Sequence, residues 1–412
     1  MSHVVMTGMP AAGHVNPSLP FVRELVRRGV CVTYYCADAF GDAIAQTGAE
    51  FRPYPAGSIT AADIAEATSA GSPVRVVVRA LAATETLVPH LQHELRSDPP
   101  DALAHDSNAI WGHVVARSMG LPTVSFMTTM LVGAGAFRSQ TAREWLRFLA
   151  VAVRDVPAAV AARQRVVRTF GKELFPPRPA FPTLGDVTVF PIPRWLQAPD
   201  PRIDERCHYV GATIDPAGRD RELDAELAAH VDGPDPVVLV SLGTLHAGSD
   251  AFFRSCFDAF AGLPARVVIA TGPRGDPARL GPPPANTLVR ASVPQPAVLG
   301  RTAVFVTHGG MNSALEGLAA GVPLVVLPQQ IEQLLIGRAV ADRGAAVVLR
   351  HHLSGRPVPT AELRAAVEAT LADPSRRSAA EALGATVGEG GGAGAGGDAV
   401  QRLLARRPVE RG

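Results

Sequence analysis

The chain opens with a strand, a helix and a second strand inside forty residues, and that arrangement leaves few folds open. His3–Thr7 is a short apolar run, Pro17–Arg28 carries Leu19, Val22, Leu25 and Val26 at helical spacing, and Val30–Tyr35 is β-branched and aromatic. The spacing predicts Asn16 as the helix N-cap, Pro17 at the first helical position and Gly29 just past the end. Two strands separated by a helix cannot close a hairpin, so they pair in parallel through a right-handed crossover. The alternation recurs with Ala102–His105, Trp111–Met119 and Thr123–Phe126. A second series starts at Val237–Ser241 and continues through Val267–Thr271, Ala303–Thr307, Pro323–Leu327 and Ala346–Leu349. The run VVLVS at 237–241 is apolar on both pleat faces, as in a strand covered on both sides.

A chain of 412 residues has room for two such units. The expected division is an N-terminal α/β domain at 1–213, a polar interdomain linker at 214–236, a second doubly wound domain at 237–387, and a Gly-rich lead with a returning helix at 388–412. Gly388–Gly397 reads as a flexible lead. The 39 Gly and 36 Pro exclude a coiled coil or a large all-helical fold. With 39 Lys+Arg against 38 Asp+Glu there is no basic footprint for nucleic acid or an anionic membrane. Cys31, Cys36, Cys207 and Cys256 lack metal-ligand spacing and read as free buried thiols in a reducing compartment. The N-terminus has no leader pattern and no apolar run approaches the roughly 18 residues of a membrane span, so the expected location is cytoplasmic. Arg138–Phe170 is helical in pattern and broken at Pro157; its apolar stripe is either core or the wall of a hydrophobic cavity.

The loop Gly8–Asn16 follows the first strand, where doubly wound sheets place ligands. It lacks G-x-G-x-x-G, and the single lysine, Lys172, lies elsewhere, so neither a dinucleotide nor a Walker loop is present. His14 ends this loop and is a candidate general base. Asp106 ends a neighbouring strand, and alternation sends it the opposite way from His105, so it either simply terminates the strand or faces the cleft and orients His14. The segment Val304–Gln333 is a strand, a Gly pair and a helix opening near Asn312 or Ser313, a geometry that presents backbone N–H groups to an anion. Asn312 and Ser313 either cap that helix or bond phosphate oxygens. Glu316 either complements the helix dipole or reads a ribose diol. Gln329, Gln330, Glu332 and Gln333 follow the next strand as donors and acceptors for sugar hydroxyls.

GHVNPSL at 13–19, HGGMNSALE at 308–316 and P-x-x-x-E-Q at 328–333 resemble the family 1 glycosyltransferases, in the bacterial macrolide and YjiC-like branch. The resemblance spans essentially the whole chain. It implies a GT-B fold, α/β, of two facing Rossmann-like doubly wound parallel-sheet domains with an interdomain cleft and a C-terminal helix returning to the N-terminal half. It implies His14 as general base with Asp106 as its partner. It further implies His308, Asn312 and Ser313 as diphosphate contacts, Gly310 at a close backbone approach, Glu316 on the ribose, and Glu332 with Gln333 on the donor sugar. Thr244 is implied near the phosphates, and Val293 and Gln295 at the nucleobase and ribose. Two positions depart from the common pattern: Ser292 stands where many relatives stack the base on Trp, and Glu332 where many have Asp.

The implied activity is metal-free, inverting transfer of a hexose from a UDP- or TDP-linked donor to a hydroxyl of a small hydrophobic natural product. No metal or resident cofactor is expected; the partners are the nucleotide sugar and the acceptor. An epimerase or hydrolase acting on nucleotide sugars, and a non-catalytic nucleotide-sugar-binding accessory protein, are the competing readings.

Overall fold

Parallel pairing organises both halves of the chain, whose computed structural model describes residues 2–69, 72–133, 140–176, 181–214, 222–243, 249–272 and 275–406. The first sheet contains β1 (His3–Thr7), β2 (Cys31–Cys36), β3 (Glu50–Pro53), β4 (Ala102–Asp106), β5 (Thr123–Phe126), β6 (Val187–Phe190) and β7 (Cys207–Tyr209). Their order is β3-β2-β1-β4-β5-β6-β7. Met6 of β1 lies opposite Tyr34 on one side and Ala104 on the other. The second sheet contains β8 (Val237–Ser241), β9 (Arg266–Ala270), β10 (Thr287–Arg290), β11 (Thr302–Thr307), β12 (Leu324–Val326) and β13 (Ala346–Val348), in the order β10-β9-β8-β11-β12-β13. Each sheet is a doubly wound Rossmann-like layer. The winding reverses beside β1 and again beside β8, so the loops after β1 and β4, and after β8 and β11, diverge at a topological switch point.

The chain forms two compact units, Met1–Val132 with Phe148–Thr213 and Gly388–Gly412, and Gly133–Arg147 with Ile214–Val387. This differs from a simple partition of the sequence. Residues 133–147 belong to the second unit, and 214–236 belongs to it as well and contains the short helix Ala225–Val231.

Apolar alternation explains both cores. In β1, Val4 and Met6 join Phe21, Val22, Leu25, Tyr34 and Phe126 in one buried cluster, while Val5 and Thr7 turn to the other face. In the second unit the helix Asp250–Phe260 places Phe252, Phe253, Cys256, Phe257 and Phe260 on one stripe against Val238, Val240, Val267, Ile269 and Val304. Ser249 caps that helix by accepting the Phe252 N–H at 3.1 Å. Burying each of these aromatic side chains contributes about 1.5–3 kcal/mol.

Several sequence expectations need correction. The first helix runs Ala12–Arg27, with Ala11 in extended conformation as its N-cap and both Pro17 and Pro20 inside it; Asn16 is no cap. The N–H groups of His14 and Val15 both reach Ala11 O at 2.9 Å, so the helix starts one turn before the prolines. Pro17 lies on the stripe that Val15, Phe21, Val22 and Leu25 bury. The helix Ala142–Phe170 continues through Pro157 unbroken, Arg138 lying outside the described residues. Its stripe Leu146, Leu149, Val153, Val156 and Val160 is exposed and is not core. Of the four free cysteines, Cys36 and Cys256 are buried and Cys31 is exposed.

The Gly-rich segment also differs from the flexible lead expected: from Gly392 onward it is the start of a helix, Gly392–Ala405, packed on Ala12–Arg27. Close approach is the reason for Gly396 and Gly397. A Cβ at Gly396 would lie 3.0 Å from the Phe21 ring, and one at Gly397 would lie 2.8 Å from Arg28 Nε. Arg28 fastens the contact, donating to Asp398 at 2.5 Å, Gln401 at 2.9 Å and Gly394 O at 2.7 Å. Gly396→Leu is therefore expected to overpack this seam and cost about 1–3 kcal/mol. At Gly394 the nearest atom to an added Cβ is 3.8 Å away. Gly394→Ala should accordingly stabilise by roughly 0.4–1 kcal/mol. Paired thermal melts check the two opposite signs.

Candidate active site

In the first unit, candidate residues gather at the carboxyl ends of β1 and β4. The loop after β1 is held from behind by buried aromatics: Tyr54 Oη donates to Gly8 O at 2.9 Å and accepts Trp111 Nε1–H at 3.0 Å. Burial pushes the Tyr54 phenol well above its ordinary pKa of 10.0, so it stays a neutral donor. Tyr34, whose hydroxyl is 2.9 Å from Ser18 Oγ, fills the space that a side chain at Gly8 would need. The packing aims the first helical turn, where His14 is the third residue of a helix and not part of a loop.

His14 Nδ1 lies 2.9 Å from Asp106 Oδ2, across 92 residues of sequence. The His14 side chain is 14% exposed and that of Asp106 only 3%, so the imidazole remains reachable while its partner is shielded. A carboxylate only accepts hydrogen bonds, so Nδ1 carries the proton and Nε2 is the basic nitrogen. Asp106 Oδ1 accepts the Asn108 N–H at 2.8 Å, which fixes the carboxyl plane. His105 does diverge: it is fully buried, its Nδ1–H donates to Asp106 O at 3.0 Å, and its ring meets His113 edge-on at 5.8 Å. Burial lowers the His113 pKa to about 3, so both rings of this pair pack as neutral groups. Sequence reasoning missed Thr128, whose Oγ1 stands 2.7 Å from His14 Nδ1 and donates to Asp106 Oδ2 at 2.8 Å. Nothing local marks it, because it lies 22 residues beyond Asp106 just after β5.

In the second unit, candidate residues gather at the ends of β8, β11 and β12. Gly309 has φ +78°, and a Cβ there would come within 2.5 Å of Val326, so the turn after β11 requires glycine. His308 stands between two more glycines. Cβ atoms at Gly243 and Gly310 would approach its ring to 2.7 and 2.3 Å respectively. The helix that follows opens at Met311, with Gly310 as N-cap and no side chain capping it. Asn312 and Ser313 are thus its second and third residues, not its caps. The first-turn N–H groups point out of the helix end beside them.

Glu316, one turn on, accepts from Gln295 Nε2 at 2.6 Å, and the same nitrogen is 3.4 Å from Ser313 Oγ. The structure therefore brings Gln295, Ser313 and Glu316 together, with Val293 half-buried two residues before Gln295 and Ser292 exposed. Burial raises the Glu316 pKa from 4.5, and the Gln295 amide opposes the shift without cancelling it. After β12, Gln333 is buried and its Oε1 accepts the N–H groups of Gln329 and Gln330 at 2.7 and 3.2 Å, forming a capping box with Gln330. Glu332 is half-buried in the first turn of the same helix, Ile331–Ala341. Thr244 falls outside the described residues. Among the described residues no three His, Cys, Asp or Glu side chains gather as a metal-binding group, and no helix is long and apolar enough to cross a membrane.

Comparison with known proteins places this geometry. Residues 184–385 match the family described as UDP-glucoronosyl and UDP-glucosyl transferase. The chain is 33% identical over 335 residues to the oleandomycin glycosyltransferase of Streptomyces antibioticus, covering 81% of this chain and 75% of that one. It is 29% identical over 411 residues to the NDP-glycosyltransferase YjiC of Bacillus licheniformis, covering 99% of both. The crystal structure of the kitacinnamycin glycotransferase superposes with a TM-score of 0.79 at 28% identity, covering 98% of this chain and 99% of that one.

A carboxyl with a raised pKa costs stability once it ionises in the folded state. Below pH 4.5 folded and unfolded chains both hold the Glu316 proton; as pH rises the unfolded chain releases it first, and stability falls through the folded-state pKa. Glu316→Gln removes that loss. The ligand-free variant should melt with the parent below pH 4.5 and above it near neutral pH, read by calorimetry across pH.

Proposed function

The chain belongs to the family 1 glycosyltransferases, in the YjiC and macrolide branch with the GT-B fold, and from that premise we propose an inverting hexosyl transfer to a small hydrophobic natural product. The donor is a UDP- or TDP-linked hexose. The observation that carries the reading is the 2.9 Å contact between His14 Nδ1 and Asp106 Oδ2 at the exposed start of a helix. Nε2 takes the proton of the acceptor hydroxyl as its oxygen attacks the anomeric carbon. The bond from that carbon to the diphosphate oxygen breaks, and its electron pair leaves with the nucleotide. One displacement inverts the anomeric configuration, through a transition state with oxocarbenium character as in glycoside hydrolysis. Asp106 then stabilises the imidazolium so formed.

The donor is assigned to the second unit. The first-turn N–H groups after Gly310, with His308, Asn312, Ser313 and Thr244, receive the diphosphate, where fixed dipoles meet developing charge. Glu316 and Gln295 read the ribose and Val293 borders the base. Glu332 reads the hexose hydroxyls, and Gln333 joins it through the part of its amide not used in the capping box. Support for a hydrophobic acceptor comes from the exposed apolar row Leu146, Leu149, Val153, Val156 and Val160, and from relatives named for oleandomycin and kitacinnamycin.

The test is incubation with UDP-glucose or TDP-glucose and a panel of hydrophobic aglycones bearing free hydroxyls. A mass gain of one hexosyl unit, with inverted anomeric coupling by proton NMR, is the expected result. Nucleotide release that needs no acceptor would instead make the protein a hydrolase, and silence with every donor would overturn the reading. His14→Ala should lower turnover by roughly 10²–10⁴-fold while leaving the Kd for UDP unchanged.

A further inference from the structure

We propose that Thr128 is a positioning residue for the base, its hydroxyl shared between Asp106 and His14 so that the imidazole is held in one orientation. The inference rests on the reading of His14 as the base, and it follows from counting protons. Thr128 Oγ1 has one proton to give and lies 2.8 Å from Asp106 Oδ2 and 2.7 Å from His14 Nδ1. An ionised carboxylate has no proton of its own, so the Thr128 proton is donated to Asp106. What Oγ1 then turns to His14 is a lone pair. Two acceptors, Asp106 Oδ2 and Thr128 Oγ1, converge on a single ring nitrogen. Nδ1 must carry the hydrogen, and Nε2 is left with the lone pair that a general base needs.

A carboxylate alone would hold the ring along one direction and leave it free to swing about that bond. The second acceptor removes the swing. Thr128 is itself secured: it is buried, its N–H donates to Ser107 Oγ at 3.3 Å, and the Ser107 N–H donates to Phe126 O at 3.0 Å at the end of β5. The Asn108 N–H occupies Asp106 Oδ1, so both oxygens of the carboxylate are held, Oδ1 from the loop after β4 and Oδ2 by Thr128 and His14.

The full-length protein is compared with Thr128→Val, which keeps the shape and deletes the hydroxyl, and with Thr128→Ser, which restores it. Both are checked for folding by thermal melt, with Thr128→Ala as the replacement should the valine variant not fold. The valine (or alanine) variant should lose about tenfold or more in kcat, part of the roughly 10²–10⁴-fold a positioned base contributes. KM for donor and acceptor should stay within twofold, and serine should recover most of the loss. Histidine ¹⁵N spectra give the readout that a merely structural role would not move. The His14 resonances, identified by their loss in His14→Ala, should report the Nδ1–H tautomer in both proteins, sharp in the parent and exchange-broadened in the valine (or alanine) variant as the ring swings about the Asp106 bond. Unchanged kcat and line widths would overturn the proposal, as would a loss confined to donor KM, which would put the hydroxyl on the substrate. Activity retained in His14→Ala would instead defeat the reading of His14 as base, a failure separate from these.

Discussion

Parallel strand pairing is the constraint on which everything else here depends. A parallel pair needs a crossover, and a crossover needs a helix that covers one face of the sheet. Once β1 pairs with β2 on one side and β4 on the other, the helices after β1 and β4 must cover opposite faces. Their entry loops part at the carboxyl ends of those strands. The same reversal occurs beside β8, between β9 and β11. No residue has to be selected to open these two places. The topology opens them, and what the sequence supplies is the chemistry set into them: His14 and Asp106 in one unit, His308, Gln295 and Glu316 in the other.

Keeping those groups in place demands dense support. In the first unit it is aromatic and hydrogen-bonded: Tyr54, Trp111, Tyr34 and Ser18 form a buried layer under Gly8, so the turn into the first helix cannot relax. In the second it is steric, with glycines at 243, 309 and 310 lending space to the His308 ring and to Val326. The cost is visible in Glu316, a carboxyl kept partly desolvated against Gln295.

How far the sequence was legible varied with the range of the interaction. Strands buried on both faces and flanked by clear helical patterns, such as Val237–Ser241 and Thr123–Phe126, were readable to the residue. Others were not: Glu50–Pro53 and Thr287–Arg290 are partly exposed at the sheet edges, and Val187–Phe190 sits within a proline-rich stretch. The start of the first helix was misplaced because prolines ordinarily mark a helix beginning, whereas burial of Pro17 on the apolar stripe overrides that preference here. The glycines after 391 suggested slack chain. Only their contact with Phe21 and Arg28 makes a helix the better packing, since any larger residue would hold the two helices apart.

His14, Asp106, Asn312, Ser313 and Glu316 could be picked out from the sequence because each sits at a strand end or in the first turns of a helix, positions that local pattern determines. The sequence by itself therefore settled the doubly wound class and pointed to the strand ends and to candidate residues placed there. Tertiary structure alone decided which of them touch. The Gln295 amide meets Glu316 across 21 residues, and the Thr128 hydroxyl closes on both Asp106 and His14, the latter 114 residues away. A hydrogen bond forms over about 3 Å, and residues far apart in sequence reach that distance only when packed strands and helices fix their separation.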